Sequence, residues 1–158
     1  MSSSLHHIML ATDFSPGSEA AAGLAFELAR KFAARLTLLH VYSAPVYIGA
    51  FGDAYALPPE VMEKIRADAE RGLEALALRA AKEGITAEPL AVEGLAPDLI
   101  VAAARSRRVD LIVMGTHGRT GLRHLLLGSV AERVVRTAEC PVLTARAPAP
   151  GQPEGASS

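Results

Sequence analysis

Short apolar runs alternate along this chain with longer stretches in which apolar residues recur every three or four positions. His7–Asp13 (HIMLATD) is apolar through its length and ends in polar residues, the pattern of a parallel strand buried on both faces. Ser15-Pro16 follows, with Ser15 suited to a helix N-cap and Pro16 to the first helical position. Ala21, Leu24, Ala25, Leu28, Ala29 and Phe32 then mark one helical face. Leu36–Tyr42 predicts a second strand. Pro59–Glu83 predicts a long amphipathic helix with Ile65, Ala69, Leu73, Leu76 and Ala80 inward, ended by Gly84. Thr86–Val92 predicts a third strand, placed at a sheet edge by Pro89. A short Ala-rich helix over Asp98–Ser106 and a buried strand over Asp110–Gly115 come next. Gly128–Ala138 predicts a helix with Val130, Val134 and Ala138 inward, and Pro141–Ala145 the fifth strand. Between the second strand and the long helix, Ser43–Pro58 reads as a long loop bearing Tyr47, Phe51 and Tyr55, which either staple it to the domain or cover a ligand.

This alternation predicts an α/β fold: a doubly wound, five-stranded parallel sheet of order 3-2-1-4-5 with helices on both faces. The domain spans residues 5–146, and 147–158, rich in Pro, Gly, Ala and Ser, reads as a disordered tail. Ligands of such sheets bind beyond the carboxyl ends of the strands. Thr12-Asp13, Val41-Tyr42, Val92-Glu93 and the segment from Gly115 onward are therefore the positions where chemistry is expected.

Composition narrows the function classes. The 158 residues fit one domain, and half of them are hydrophobic, yet Trp is absent and aromatics are only 4%, so the core rests on Ala, Leu, Val and Ile. Sixteen basic and 17 acidic residues give a net charge of −1, which leaves no global basic excess for nucleic acid. The longest apolar runs, Leu99–Ala104 and Leu111–Met114, fall far short of the ~20 residues of a spanning helix, so no membrane partner is expected. No charged-then-apolar leader pattern opens the chain, and Cys140 is its one cysteine; a cytoplasmic location is the expectation. His6, His7 and His40 have no acidic or cysteine companions at metal spacing, so no metal site is expected from them.

The segment after the fourth strand carries the chemistry. Gly115-Thr116-His117-Gly118-Arg119 places two glycines three apart; nine residues then separate Gly118 from Gly128-Ser129-Val130. Glycines there can take positive φ and let the backbone approach an oxyanion, although glycines after a strand also mark plain turns. Gly128-Ser129 opens a helix whose exposed N–H groups and dipole favour phosphate. His117, Arg119, Arg123 and His124 offer cationic donors in the same loop. Asp13 reads equally as a turn residue and as a ligand contact.

Over His7–Ala145 the chain resembles the universal stress protein family. The likeness rests on Gly-x-x-Gly, nine residues, then Gly-Ser; on Ala11-Thr12-Asp13-Phe14-Ser15 after the first strand; and on Asp110–Gly115, Gly128–Val135 and Cys140-Pro141-Val142. The resemblance implies an ATP-binding, nucleotide-responsive module of the stress response, with ATP held with or without Mg²⁺. By position it implies Asp13 at the adenosine, the Val41 main chain at the adenine, and Gly115, His117, Gly118, Gly128, Ser129 and Val130 around phosphate and ribose. Ala11, Thr12, Met114 and Arg119 complete the expected contacts; Ala11 stands where the family often has Pro. The resemblance also implies a homodimer joined through the last strand. The competing class is a slow ATPase or phosphotransferase. Fast phosphoryl transfer is not expected, because Leu127 precedes Gly128-Ser129 with no Walker lysine, and no second acid is visible beside Asp13 to hold Mg²⁺.

Overall fold

A computed structural model describes residues 5–117 and 127–148. In chain order the elements are β1 (His7–Ala11), α1 (Pro16–Phe32), β2 (Arg35–Tyr42), β3 (Tyr47–Ile48), β4 (Ala54–Tyr55), α2 (Pro59–Lys82), β5 (Ala87–Glu93), α3 (Ala96–Ser106), β6 (Leu111–Gly115), α4 (Ser129–Thr137) and β7 (Val142–Ala145). Five strands form one parallel sheet in the order β5-β2-β1-β6-β7. Counting those five alone, this is 3-2-1-4-5, the order expected from the sequence. Pro89 does lie on an edge strand, where its missing N–H costs no ladder bond. The segment expected as one long loop instead contains β3 and β4, a small antiparallel hairpin.

Alternation along the central strands divides the core in two. Ile8 and Leu10 of β1, Leu36 and Leu38 of β2 and Val113 of β6 pack with Ala21, Ala25 and Phe26 of α1 and Leu73, Leu76 and Ala80 of α2. Met9 and Ala11, Leu39, and Ile112 and Met114 pack on the other face with Ile100 and Ala104 of α3 and Ala131 and Val134 of α4. Ser15 caps α1 by accepting the Ser18 N–H at 3.3 Å, and Gly84, at φ 75°, follows the end of α2.

The inward stripe of α1 differs from the expected one. Ala22 and Phe26 are buried, whereas Leu24 and Phe32 are exposed, at 38% and 42% of their surface. Ser18, Ala21, Ala22, Ala25 and Ala29 form a narrower, smaller-residue face that lets the helix ride close to the sheet. In α4, Ala131 and Val134 are buried, while Val130 and Ala138 are only partly covered. The described part of the expected tail ends at Pro148; the remainder lies outside the described residues.

Candidate functional site

The sheet's alternation decides which expected contacts meet. Ala11 at the end of β1, Met114 near the end of β6, Val41 near the end of β2 and Val130 in the first turn of α4 all belong to the apolar cluster on the α3–α4 face. Ala11 and Met114 are buried; Val41 and Val130 form its partly exposed rim. An apolar floor with an open rim at the strand ends suits the flat face of a base or sugar.

The turn after β1 is closed by its own polar groups. Thr12 donates its N–H to Leu39 O at 2.9 Å, and its hydroxyl accepts the Phe14 N–H at 3.0 Å. Asp13 Oδ1 accepts the Ser15 N–H at 3.0 Å and the Ser18 hydroxyl at 2.5 Å, while the Asp13 N–H is donated to Ser18 Oγ at 3.1 Å. Asp13 thus holds the entry to α1 at the mouth of the site. Phe14 pivots at φ 61°, a left-handed conformation costly for an aromatic residue.

Gly115 ends β6 against the first turn of α1. A Cβ there would lie 2.9 Å from the Gly17 carbonyl carbon and 3.1 Å from the Ser18 nitrogen. Its backbone is not in the positive-φ region, so the reason for glycine is close approach, not the conformational freedom expected from the sequence. Thr116 then donates its N–H to Ala145 O at 2.8 Å, and its carbonyl receives the Gly128 N–H at 2.6 Å. Gly128 is the N-cap of α4 at φ −70°, and a Cβ on it would lie 3.0 Å from that same carbonyl. Two glycines therefore bring the N-terminus of α4 tight against the end of β6. Gly128 has no side chain with which to cap the first turn, and Ser129 is exposed there. First-turn N–H groups without a side-chain cap form a polar, electropositive end of the kind that holds phosphate. His117 lies alongside, its Nδ1 3.0 Å from Thr116 Oγ1. Gly118 and Arg119, with Arg123 and His124, lie outside the described residues.

A cavity of about 460 Å³ opens between the β1 turn, the end of β2 and α2. Asp13, Phe14, His40, Val41, Ile65 and Ala69 are among its lining residues. Nothing in the sequence motif pointed to α2; the only signal was Ile65, counted as core but only half-buried at the end of the helical stripe. His40 is buried, its Nδ1 donating to Thr12 O at 2.7 Å and its ring tilted against Phe14 with centroids 4.6 Å apart. The Phe14 ring fills the notch at Gly72 of α2, where a Cβ would lie 2.6 Å from the ring edge.

The other polar residues weighed from the sequence have structural partners. His7 donates from Nδ1 to Arg107 O at 3.1 Å and accepts the Thr37 hydroxyl at Nε2, 2.8 Å away. Burial pushes the Cys140 thiol up, away from the thiolate a nucleophile needs. Among the described residues no cluster of three or more His, Cys, Asp or Glu could hold a metal ion, and no helix is long and apolar enough to cross a membrane.

The sequence profile of the universal stress protein family matches residues 4–146. The chain belongs to the universal stress protein family. A universal stress protein of Methanocaldococcus jannaschii is 35% identical over 146 residues, covering 89% of this chain and 82% of the relative. The solved structure of a hypothetical protein from the same organism has a TM-score of 0.78 at 27% identity, covering 92% of this chain and 99% of that one. A universal stress protein solved in complex with cAMP has a TM-score of 0.70 at 25% identity, covering 92% and 100%.

Proposed function

We propose that this universal stress protein binds an adenine nucleotide, ATP with or without Mg²⁺, at the carboxyl ends of β1, β2 and β6, and that it works as a nucleotide-responsive regulatory module of the stress response. The observation that carries this reading is the N-terminus of α4, drawn against the end of β6 by Gly115 and Gly128 beside the apolar rim of Ala11, Val41, Met114 and Val130. The first-turn N–H groups and the Ser129 hydroxyl hold phosphate; the rim takes the apolar faces of the nucleoside. Thr12 and Asp13 approach the sugar, the Val41 main chain meets the base, and His117 flanks the phosphates. Gly118 and Arg119 complete the cradle by position in the sequence motif. The solved relative in complex with cAMP supports an adenine nucleotide as the ligand class.

Two further parts of this reading concern the setting. The chain works in the cytoplasm, and β7, an edge strand with Val142 and Leu143 only half-buried, pairs with a second copy. Calorimetric titration with ATP tests the reading: saturable heat is expected, and its absence at millimolar ATP overturns it.

A further inference from the structure

The β3–β4 hairpin carries its large apolar side chains in solvent. Val46, Tyr47, Ile48, Phe51 and Tyr55 are all more than half exposed, Phe51 to 95%. The aromatics therefore do not staple this segment to the domain, one of the two roles expected for them. β3 and β4 pack chiefly on each other: Tyr47 is paired with Tyr55 and Ile48 with Ala54, and the Gly49 N–H donates to the Asp53 carbonyl at 2.9 Å. Gly52 turns the chain at φ 82°, and the Tyr55 ring lies over Gly49, where a Cβ would come within 2.6 Å of it. The hairpin thus has a defined shape with apolar side chains on both faces. At about 150–250 Å² for each aromatic side chain, the five expose several hundred Å². That matches the largest apolar patch of a typical monomer, ~300–600 Å², and approaches the ~800 Å² each partner gives to a standard interface.

We propose that the hairpin pairs with the hairpin of a second copy of this chain, edge to edge through β3, in one four-stranded antiparallel sheet across a twofold axis. A two-stranded hairpin is marginal in water, and each of its strands keeps an outer edge for a further strand. A twofold axis perpendicular to the sheet sets β3 antiparallel to its copy and keeps each face on its own side, so Ile48 meets the second copy's Ile48 and Tyr47 its Tyr47. Charge selects the edge. Residues 43–58 carry one charged side chain, Asp53, directly before β4. Pairing through β4 would bring both Asp53 carboxylates to the shared edge. Pairing through β3 leaves them on the outer strands, about three strand spacings of ~4.8 Å apart and beyond a Debye length. Charge also disfavours a lipid surface, because no Lys or Arg in 43–58 adds the second attraction that stable membrane binding takes. The hairpin follows β2, and β1 and β6 stand between β2 and β7 in the sheet. Pairing at β3 therefore needs neither nucleotide nor β7, and it doubles whatever mass the rest of the chain sets.

The test follows mass by light scattering as the protein is concentrated from micromolar to near-millimolar. The interface is small, of the weak and transient class, so the doubling is expected at concentrations on the order of 100 μM. Ile48→Lys and Ile48→Glu each place like charges against one another across the axis, and Ile48 is exposed, so neither variant disturbs the core. Each alone is expected to lose the rise in mass, and an equal mixture of the two is expected to regain it, because lysine on one copy then meets glutamate on the other. Only a hairpin that meets its own copy produces that rescue. A wild type of constant mass over the range overturns the proposal, as do single variants that rise like wild type or a mixture that stays at the mass of its components. Constant mass together with binding to uncharged phosphatidylcholine vesicles, lost in Ile48→Lys, would give the hairpin to a lipid surface instead. None of these outcomes touches nucleotide binding, which titration with ATP decides separately.

Discussion

Gly115 and Gly17 touch backbone to backbone: a Cβ on Gly115 would lie 2.9 Å from the carbonyl carbon of Gly17, and one on Gly17 would lie 3.0 Å from the carbonyl oxygen of His117. The end of β6 and the first turn of α1 are thereby held in direct contact, and the loop leading toward α4 starts from a fixed point. Gly115→Ala must move backbone, because no flexible side chain stands in the way to yield. We expect it to destabilise the fold by about 1–3 kcal/mol and to loosen the site at once. Chemical denaturation compared with the wild type measures this; an unchanged midpoint would show that the contact is not needed.

The fold's acid sensitivity follows from His7. Burial is the main cause that pushes its pKa down, with the Arg35 and Arg107 charges adding to it against the Arg107 carbonyl and Asp110. The unfolded chain therefore binds a proton more readily than the folded one, and stability is lost as pH falls below about 6.5, the ordinary histidine value. Asp110 acts with the same sign at lower pH. Burial pushes its carboxyl up, but the N–H groups of His6 and His7, each 2.9 Å away, pull it further down. Its contribution is lost as pH falls below the ordinary carboxylate range. Denaturation midpoints are expected to drop from about pH 7 to about pH 5, with a shallower slope in His7→Gln. Equal slopes in the two proteins would remove His7 as the cause.

Association through β7 predicts a dimer at micromolar concentration by light scattering. Truncation after Arg146 is expected to leave mass and melting temperature unchanged, since the removed segment lacks the apolar residues to contribute a core. A wild-type monomer under those conditions would contradict the pairing.

Much of the fold was legible because local rules agreed with global ones. Ser15-Pro16, Gly84 and Pro89 each fix a boundary or an edge through their own backbone chemistry, and the structure places them at an N-cap, a helix end and an edge strand. The side of α1 that turns inward was less legible. Period alone does not distinguish Leu24 from Ala22, and closeness to the sheet favours the smaller residue. The glycine motif begins at the end of β6, but for Gly115 the physical reason differs from the expected one: a neighbouring backbone, not φ, requires glycine. That neighbour, Gly17, is 98 positions away in sequence, and no local pattern announces it. The α2-side cavity was invisible for the same reason. Phe14, His40 and Ile65 come from three separate elements, and only the packed fold brings them together.

The central claim, phosphate held at the start of α4, is tested most directly by the thermal shift that ATP produces in wild type and in Ser129→Glu. A ligand at about 100 times its dissociation constant stabilises a fold by about 2.7 kcal/mol, so wild type is expected to melt several degrees higher with millimolar ATP. Ser129→Glu is expected to melt normally without ligand and to lose most of that rise, because its carboxylate occupies the electropositive end that phosphate requires. A wild type whose melting does not move with ATP, or a Ser129→Glu protein whose rise equals the wild type's, would contradict the account.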